Sequence, residues 1–514
     1  MQDVGDKDLT NEAVDSCQHV AQEPVCRHFC FKVLKIFNMF KEYSHFKDVA
    51  LFLVALLILA VAPYFQMAVP HDSQRLLSSV LVAVTLPVSL WFAKLSMKLL
   101  WVIASVFLWG ILAVWLSPMP FWSSLEFAML FSAALLSISL FRMVDASLIK
   151  KLAVIFVLIQ AFYLSLNLMY YIAIMLYSNI LVPYNLVTGF SNIRFYAQFL
   201  IWTVPFVLAI LVLYPKLACR NAIVFVLMLD WAYQFLTSTR AYMLALAITI
   251  PVVWLFTKAD KQLWKQYAKW LLITASGGFV LYVLMLFVIP ALCGVDIDLA
   301  LDASARRDMW NSRGRVYLWQ EAFRLMSEHP WLGAGPMMTA MLVDLKTSAH
   351  PHNFVLQLLA EWGIPFTGAL LFFMTVGIIR WKKLIDIDRV ERMPLALPVV
   401  AALSAGITAG LVDGLIVMPV SLVYMTLVIG LLAGLWRSWT PADVRISFPK
   451  WLIPIFAAPA VYVAAYTVIM WPERNVATNL RPPIIGNGYH IIEDIHPRFW
   501  VVGHIVLDKA NTQK

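Results

Sequence analysis

The sequence predicts an all-α polytopic membrane protein, and three observations carry that prediction. The 514-residue chain is 61% hydrophobic and only 13% charged, where soluble domains run near ~45–50% and ~25%. Its mean hydropathy is +0.78. The apolar residues are gathered into long uncharged runs, several approaching the ~20 residues a helix needs to cross a bilayer. Strands of a membrane barrel would alternate apolar and polar residues, so a barrel is excluded. The formal charge of +9 would suit a nucleic-acid binder, but the basic residues sit in short loops between apolar runs, where they set orientation. No nucleic-acid partner is expected.

Residues 1–47 are a polar tail with no signal-peptide apolar core after Met1, so the first span is expected to stay as an anchor. Cys17, Cys26 and Cys30 stand near His19 and His28, but the spacing matches no standard zinc pattern. Free thiols in a reducing cytoplasm are the simpler reading. From Phe29 to Phe40 the tail turns amphipathic, with Val33, Ile36, Phe37 and Phe40 on one face, as in an interfacial helix.

Apolar runs separated by charge then predict about thirteen spans. They fall near 48–69, 76–93, 99–116, 121–141, 152–177, 196–214, 221–237, 240–256, 270–292, 364–380, 395–412, 418–436 and 451–471. Alternate connections hold Lys94 and Lys98, Arg142 with Lys150 and Lys151, Lys216 and Arg220, the Lys258–Lys269 cluster, Arg380 with Lys382 and Lys383, and Arg437, Arg445 and Lys450. The positive-inside rule puts this set and the N-terminus in the cytoplasm, and an odd span count puts the C-terminus outside. The expected organisation is a cytoplasmic tail (1–47), nine spans (48–292), a large external loop with short helices (293–363), four spans (364–471) and an external C-terminal tail (472–514).

The long loop breaks the charge trend, since it carries Arg306, Arg307, Arg313, Arg315, His329, His350 and His352. Two readings are open on charge alone. One is a site for an anionic ligand; the other is a solvated loop whose bases pair with Asp296, Asp298, Asp302 and Asp308. The sequence His350-x-His352 invites a metal, but no third carboxylate or histidine stands at helical spacing beside it, so no metal is expected. Gly333-Ala334-Gly335 is a turn with no phosphate-loop lysine after it. His71, His329, His490, His496 and His504 are read as solvated or packing groups, and Glu126 and Asp230 as hydrogen-bonded packing groups near helix ends.

Within this loop the chain reads Asn311-Ser-Arg-Gly-Arg315-Val-Tyr-Leu-Trp319, then His329-Pro-Trp-Leu-Gly333-Ala-Gly335-Pro336. Next come His350-Pro351-His352-Asn353 and Leu356-Gln-Leu-Leu-Ala-Glu361-Trp-Gly363. This resembles the hallmark region of the bacterial O-antigen ligase and polymerase superfamily: Gly-Arg four residues before Trp, Pro-x-x-Gly-x-Gly, then His-Asn opening a Leu-Gln helix that ends in Glu-x-Gly. Gly189–Arg194, Ser238-Thr239-Arg240 and the polar break at Asp413-Gly414 are weaker matches. Pro365-Phe366 stand where the family usually has a second Gly, a departure read as structural.

The resemblance implies a metal-independent, inverting glycosyltransferase of the bacterial inner membrane, with no cofactor. It would take a glycan from undecaprenyl diphosphate at the periplasmic face and pass it to lipid A core, to another repeat unit or to a protein Ser or Thr. The first of these, an O-antigen ligase, is favoured. The chemistry asks for the same parts. The departing diphosphate gains negative charge, which a guanidinium can grip bidentately while staying charged. The acceptor hydroxyl needs a base, for which an imidazole is suited. Arg315 and His352 are thus the expected catalytic residues, with Arg194, Arg240, Arg313, His350 and Asn353 contacting substrate. An extended backbone over 350–352 would turn both histidines to one side. A lipid-linked glycan transporter would predict half-chain repeats, which are not seen. A non-catalytic assembly subunit would need neither His352 nor the arginines.

Overall fold

The computed structural model describes residues 56–57, 60, 70–141, 144–217, 219–257, 260–305, 313–340, 350–440 and 445–470. The N-terminal tail with its amphipathic stretch and thiols, most of the span expected at 48–69, Arg306 and Arg307, and the C-terminal tail with its three histidines lie outside these residues.

The described chain is helical almost throughout. In order it forms α1 (Pro70–Phe92), α2 (Met97–Trp115), α3 (Pro120–Ser139), α4 (Ala146–Tyr177), α5 (Ile193–Leu213), α6 (Arg220–Leu236) and α7 (Arg240–Thr257). Then follow α8 (Lys261–Cys293, with a π turn at Leu284–Val288), α9 (Asp298–Ala305), α10 (Arg313–Glu328), α11 (Phe354–Ile387), α12 (Arg389–Gly410), α13 (Pro419–Trp439) and α14 (Ile453–Ile469). Eleven helices among the described residues are long and apolar enough to cross a membrane. The 17-residue α6 adds a shorter one, at the lower end of the length that suffices. The chain is therefore an all-α polytopic membrane protein.

Helix starts precede several expected spans, and the caps show why. Asp145 accepts from Leu148 N–H, and Asp260 accepts from the N–H groups of Gln262 and Leu263. Each supplies the side-chain oxygen that the first turn lacks. Lys150, Lys151 and the 261–269 lysines thus ride on helical turns beyond the apolar run. Charge marks where the apolar stretch stops, while the cap marks where the helix starts.

Because the helices alternate in direction, the connections fall at two ends. One end gathers the described members of the basic set from Lys94 to Lys450 that the sequence assigned to a common side. There a short antiparallel pair, β1 (Lys94–Ser96) with β2 (Arg445–Ser447), ties two connections together. The other end carries the start of α1, the 178–192 connection, Arg240, α9, α10 and the 411–418 turn. Between the ends, α5 runs through the core and packs against α4, α6, α7, α8, α12 and α13.

Candidate active site

The site is built where the chain enters α11. Asn353 caps that helix, its side-chain oxygen accepting from the N–H groups of Val355 (3.0 Å) and Leu356 (3.1 Å). His352, immediately before the cap, has φ of 52°. That left-handed conformation is uncommon for a residue with a Cβ, and such strain gathers at functional sites. The extended backbone expected at this point is therefore replaced by a turn. It still brings the two histidines together, with ring centroids 4.3 Å apart in an edge-on arrangement. The indole N–H of Trp319 on α10 donates to the Pro351 carbonyl at 2.9 Å and holds the segment from the other side.

Asp413 completes the group. It lies in the 411–418 turn between α12 and α13, 61 residues along the chain, with Oδ1 3.2 Å from His352 Nδ1. The Gln198 amide of α5 donates to Oδ2 (3.1 Å), and Gly414 N–H donates to Oδ1 (2.8 Å). Burial pushes the Asp413 carboxyl up. The His352 hydrogen bond and charge, helped by Gln198 and the Gly414 amide, outweigh that and hold it below the ordinary carboxylate range. A carboxylate can only accept, so it keeps a proton on His352 Nδ1 and leaves Nε2 with a free lone pair. His350 is buried against Gly414, where a Cβ would run into its imidazole.

Residues 223–373 match the family model of O-antigen ligase. Over this stretch the chain is similar to that family. No curated protein matches the chain. The matched stretch contains Arg240, Arg313, Arg315, His350, His352 and Asn353, whereas Arg194, Gln198 and Asp413 come from outside it.

The arginines are tied to this group through helix geometry. In α10, Arg315 and Trp319 are one turn apart and share a face, which is the physical content of the family's Arg-to-Trp spacing. In α5, Arg194 stands one turn before Gln198 and two before Trp202, whose indole N–H donates to Ser421. Arg194 is thus one turn from a residue bonded to Asp413, and Arg315 one turn from a residue bonded to the Pro351 carbonyl beside His352. Arg194 and Arg315 are exposed, and their side chains form no ion pair or hydrogen bond among the described residues. Among the described residues, neither pairs with Asp296 or Asp298; the Asp302 side chain and Asp308 lie outside those residues. Arg240 opens α7 at the same end, after Ser238 with φ of 51°. The Arg313 side chain lies outside the described residues.

A second layer fixes the backbone. Pro365 has no N–H for the Glu361 carbonyl one turn back, and Gly363 (φ 80°) breaks α11 there. The turn 330–335 fills the gap. Ala334 N–H donates to Ala360 O (2.8 Å), Gly335 N–H to Glu361 O (3.1 Å), and Ile364 N–H to Pro330 O (2.8 Å). Gly333 and Gly363 are where the two backbones meet, and a Cβ on either would strike the opposite chain. The buried Glu361 carboxyl accepts from Thr339 N–H (3.1 Å), Thr339 hydroxyl (2.6 Å) and Gln357 (3.2 Å).

Sequence reasoning missed four contributors. Asp413 stood out only as a polar break, and nothing marked Gln198 as its partner. The others lie in the first two turns of α1, which clasp two connections. Gln74 donates to Gly189 O (2.9 Å) beside the Arg194 loop, while Arg75 donates to Val417 O in the Asp413 turn. In the first of these turns His71 N–H donates to Ser191 Oγ (2.9 Å), and its ring packs on Phe195. The polar run His71–Arg75 directly before an apolar stretch was the available signal. Asp230 accepts from the Tyr196 hydroxyl (2.9 Å), as a hydrogen-bonded packing group would.

The expectation of no metal rested on the lack of a third ligand near the histidines. The fold supplies one: His350, His352 and Asp413 offer donor atoms all within 4.8 Å of one another.

Proposed function

We propose that this protein is an inner-membrane glycosyltransferase. In this reading it moves a glycan from undecaprenyl diphosphate to a hydroxyl of lipid A core at the periplasmic face. The site end of the helices faces the periplasm, the basic end and the N-terminus face the cytoplasm, and the C-terminus is periplasmic. The single observation that carries the reading is the His352–Asp413 pair at 3.2 Å, with exposed arginines one helical turn from its supports.

The step balances as follows. Asp413 holds a proton on His352 Nδ1, and Nε2 takes the proton of the acceptor hydroxyl. The acceptor oxygen attacks the anomeric carbon from the face opposite the phosphate. The sugar–phosphate bond breaks, configuration inverts, and the bonding pair leaves on the diphosphate. Arg315 and Arg194 grip those oxygens, with Arg240 and Arg313 completing the cationic rim, so no metal is required for transfer. His350 orients His352 or contacts the acceptor, and Asn353 sets the turn that aims it.

The acceptor follows the description of the matched family. The test supplies purified protein with lipid-linked donor and, in separate reactions, lipid A core, free repeat units and a Ser/Thr-containing periplasmic protein. Glycan on lipid A core alone is expected. Transfer only to repeat units or only to protein would replace the ligase with a polymerase or a protein glycosyltransferase. Movement of donor across vesicles without transfer would make the protein a transporter.

A further inference from the structure

We infer that His350, His352 and Asp413 form a three-ligand site for a divalent transition metal of the zinc type, and that metal in this site switches His352 off as a base. The second half rests on the function proposed above; the first does not. Two imidazoles and one carboxylate with a fourth position open are a donor set that suits zinc, cobalt or nickel, whereas magnesium and calcium prefer all-oxygen surroundings. His352 Nδ1 and Asp413 Oδ1 are 3.2 Å apart, near the about 3.3–3.5 Å edge of a tetrahedron with 2.0–2.1 Å bonds. The third donor lies within 4.8 Å of both.

The surroundings are those of a prepared site. Gln198 and Gly414 N–H orient the carboxylate. Trp319 pins the Pro351 carbonyl between the two histidines, and the turn at His352 keeps their rings in contact. The ligands come from two segments 61 residues apart, which is why spacing along the chain did not reveal them.

Metal and catalysis compete for one tautomer. With Asp413 as acceptor, the neutral ring carries its proton on Nδ1 and its lone pair on Nε2. A metal on Nδ1 moves that same proton to Nε2, and no proton need leave the ring. Nε2–H can no longer accept from a hydroxyl, so the filled site is inactive while the metal-free enzyme works.

The experiment uses the full chain with Cys17, Cys26 and Cys30 replaced by Ser, stripped with chelator, in detergent. Zinc is titrated against a chromophoric chelator in this protein and in its Asp413→Asn and His350→Gln versions, with thermal melting as the fold check. Each variant should bind one zinc fewer, and one equivalent of cobalt should give the parent a visible nitrogen/oxygen-ligand band that zinc abolishes. Equal stoichiometry in all three overturns the site; if a variant does not fold, absence of the cobalt band in the parent overturns it. Transfer by the parent should fall in step with zinc filling and return with chelator. Zinc that fills the site while transfer continues overturns the switch. Failure of the glycosyltransferase reading shows separately, as no transfer from the donor in metal-free buffer, and leaves the zinc stoichiometry standing.

Discussion

Arg315 illustrates what a single residue contributes beyond its charge. A guanidinium presents a planar fork to two phosphate oxygens, whereas an ammonium is a point charge. Arg315→Lys should therefore lower transfer by ~10²-fold or more, the scale of losing one well-placed donor to developing charge. Lysine at Arg306 or Arg307 should matter less, because neither lies in the matched motif. Equal tolerance at all three positions would reduce the arginines to a diffuse electrostatic funnel. Asp413 is tested through pH. Its folded-state pKa is depressed, so the stability it contributes is complete above the ordinary carboxylate value of about 4 and is lost as pH falls through the folded value. Asp413→Asn should melt below wild type at pH 7, and the gap should narrow toward pH 3; a gap that is constant with pH would contradict the lowered carboxyl. Arg313, Arg315 and His352 could be singled out because they sit in one contiguous motif. Asp413 and Gln198 were not, because their meaning comes from a contact across 61 and 215 residues of chain.

Among the elements, the broken α11 and the first two turns of α1 do the positioning. Residues 330–335 replace the hydrogen bonds that Pro365 and Gly363 remove from α11, and the 338–340 turn hangs on Glu361. Gly363→Ala would place a Cβ at φ of 80° against the opposing backbone. The conformation alone costs on the order of 1–3 kcal/mol, so a clear drop in melting temperature is expected, and an unchanged melt would show that the crossing is not tight. The motif spacing pointed to the turn but not to its partner, since a glycine pattern does not say which backbone comes close. For α1, Arg75→Met should lower transfer several-fold more than it lowers melting temperature would suggest, because the Asp413 turn loses its brace at Val417. Proportional loss of both would make Arg75 a packing residue only. A run of His71-Asp72-Ser73-Gln74-Arg75 at the head of a span was visible in the sequence, but it was read as the end of a loop.

At the scale of the whole molecule, the span pattern and the sorting of charge were the most legible features, because long apolar runs and short basic loops are properties of composition. Among the described residues, the lysines and arginines of alternate connections do gather at one end of the helices. Single-cysteine labelling in a cysteine-free background checks the orientation proposed from that sorting. Leu345→Cys should react in intact spheroplasts and Gln262→Cys only after permeabilisation; reaction of position 262 in intact cells would invert the proposed topology. Removal of the proposed base, His352, is the most direct test. Transfer from lipid-linked donor is measured for wild type, His350→Ala and His352→Ala, with protein level and donor binding in parallel. The account predicts that His352→Ala stays folded, binds donor and loses ~10²–10⁴-fold in transfer, while His350→Ala loses less. Normal turnover by His352→Ala would contradict it.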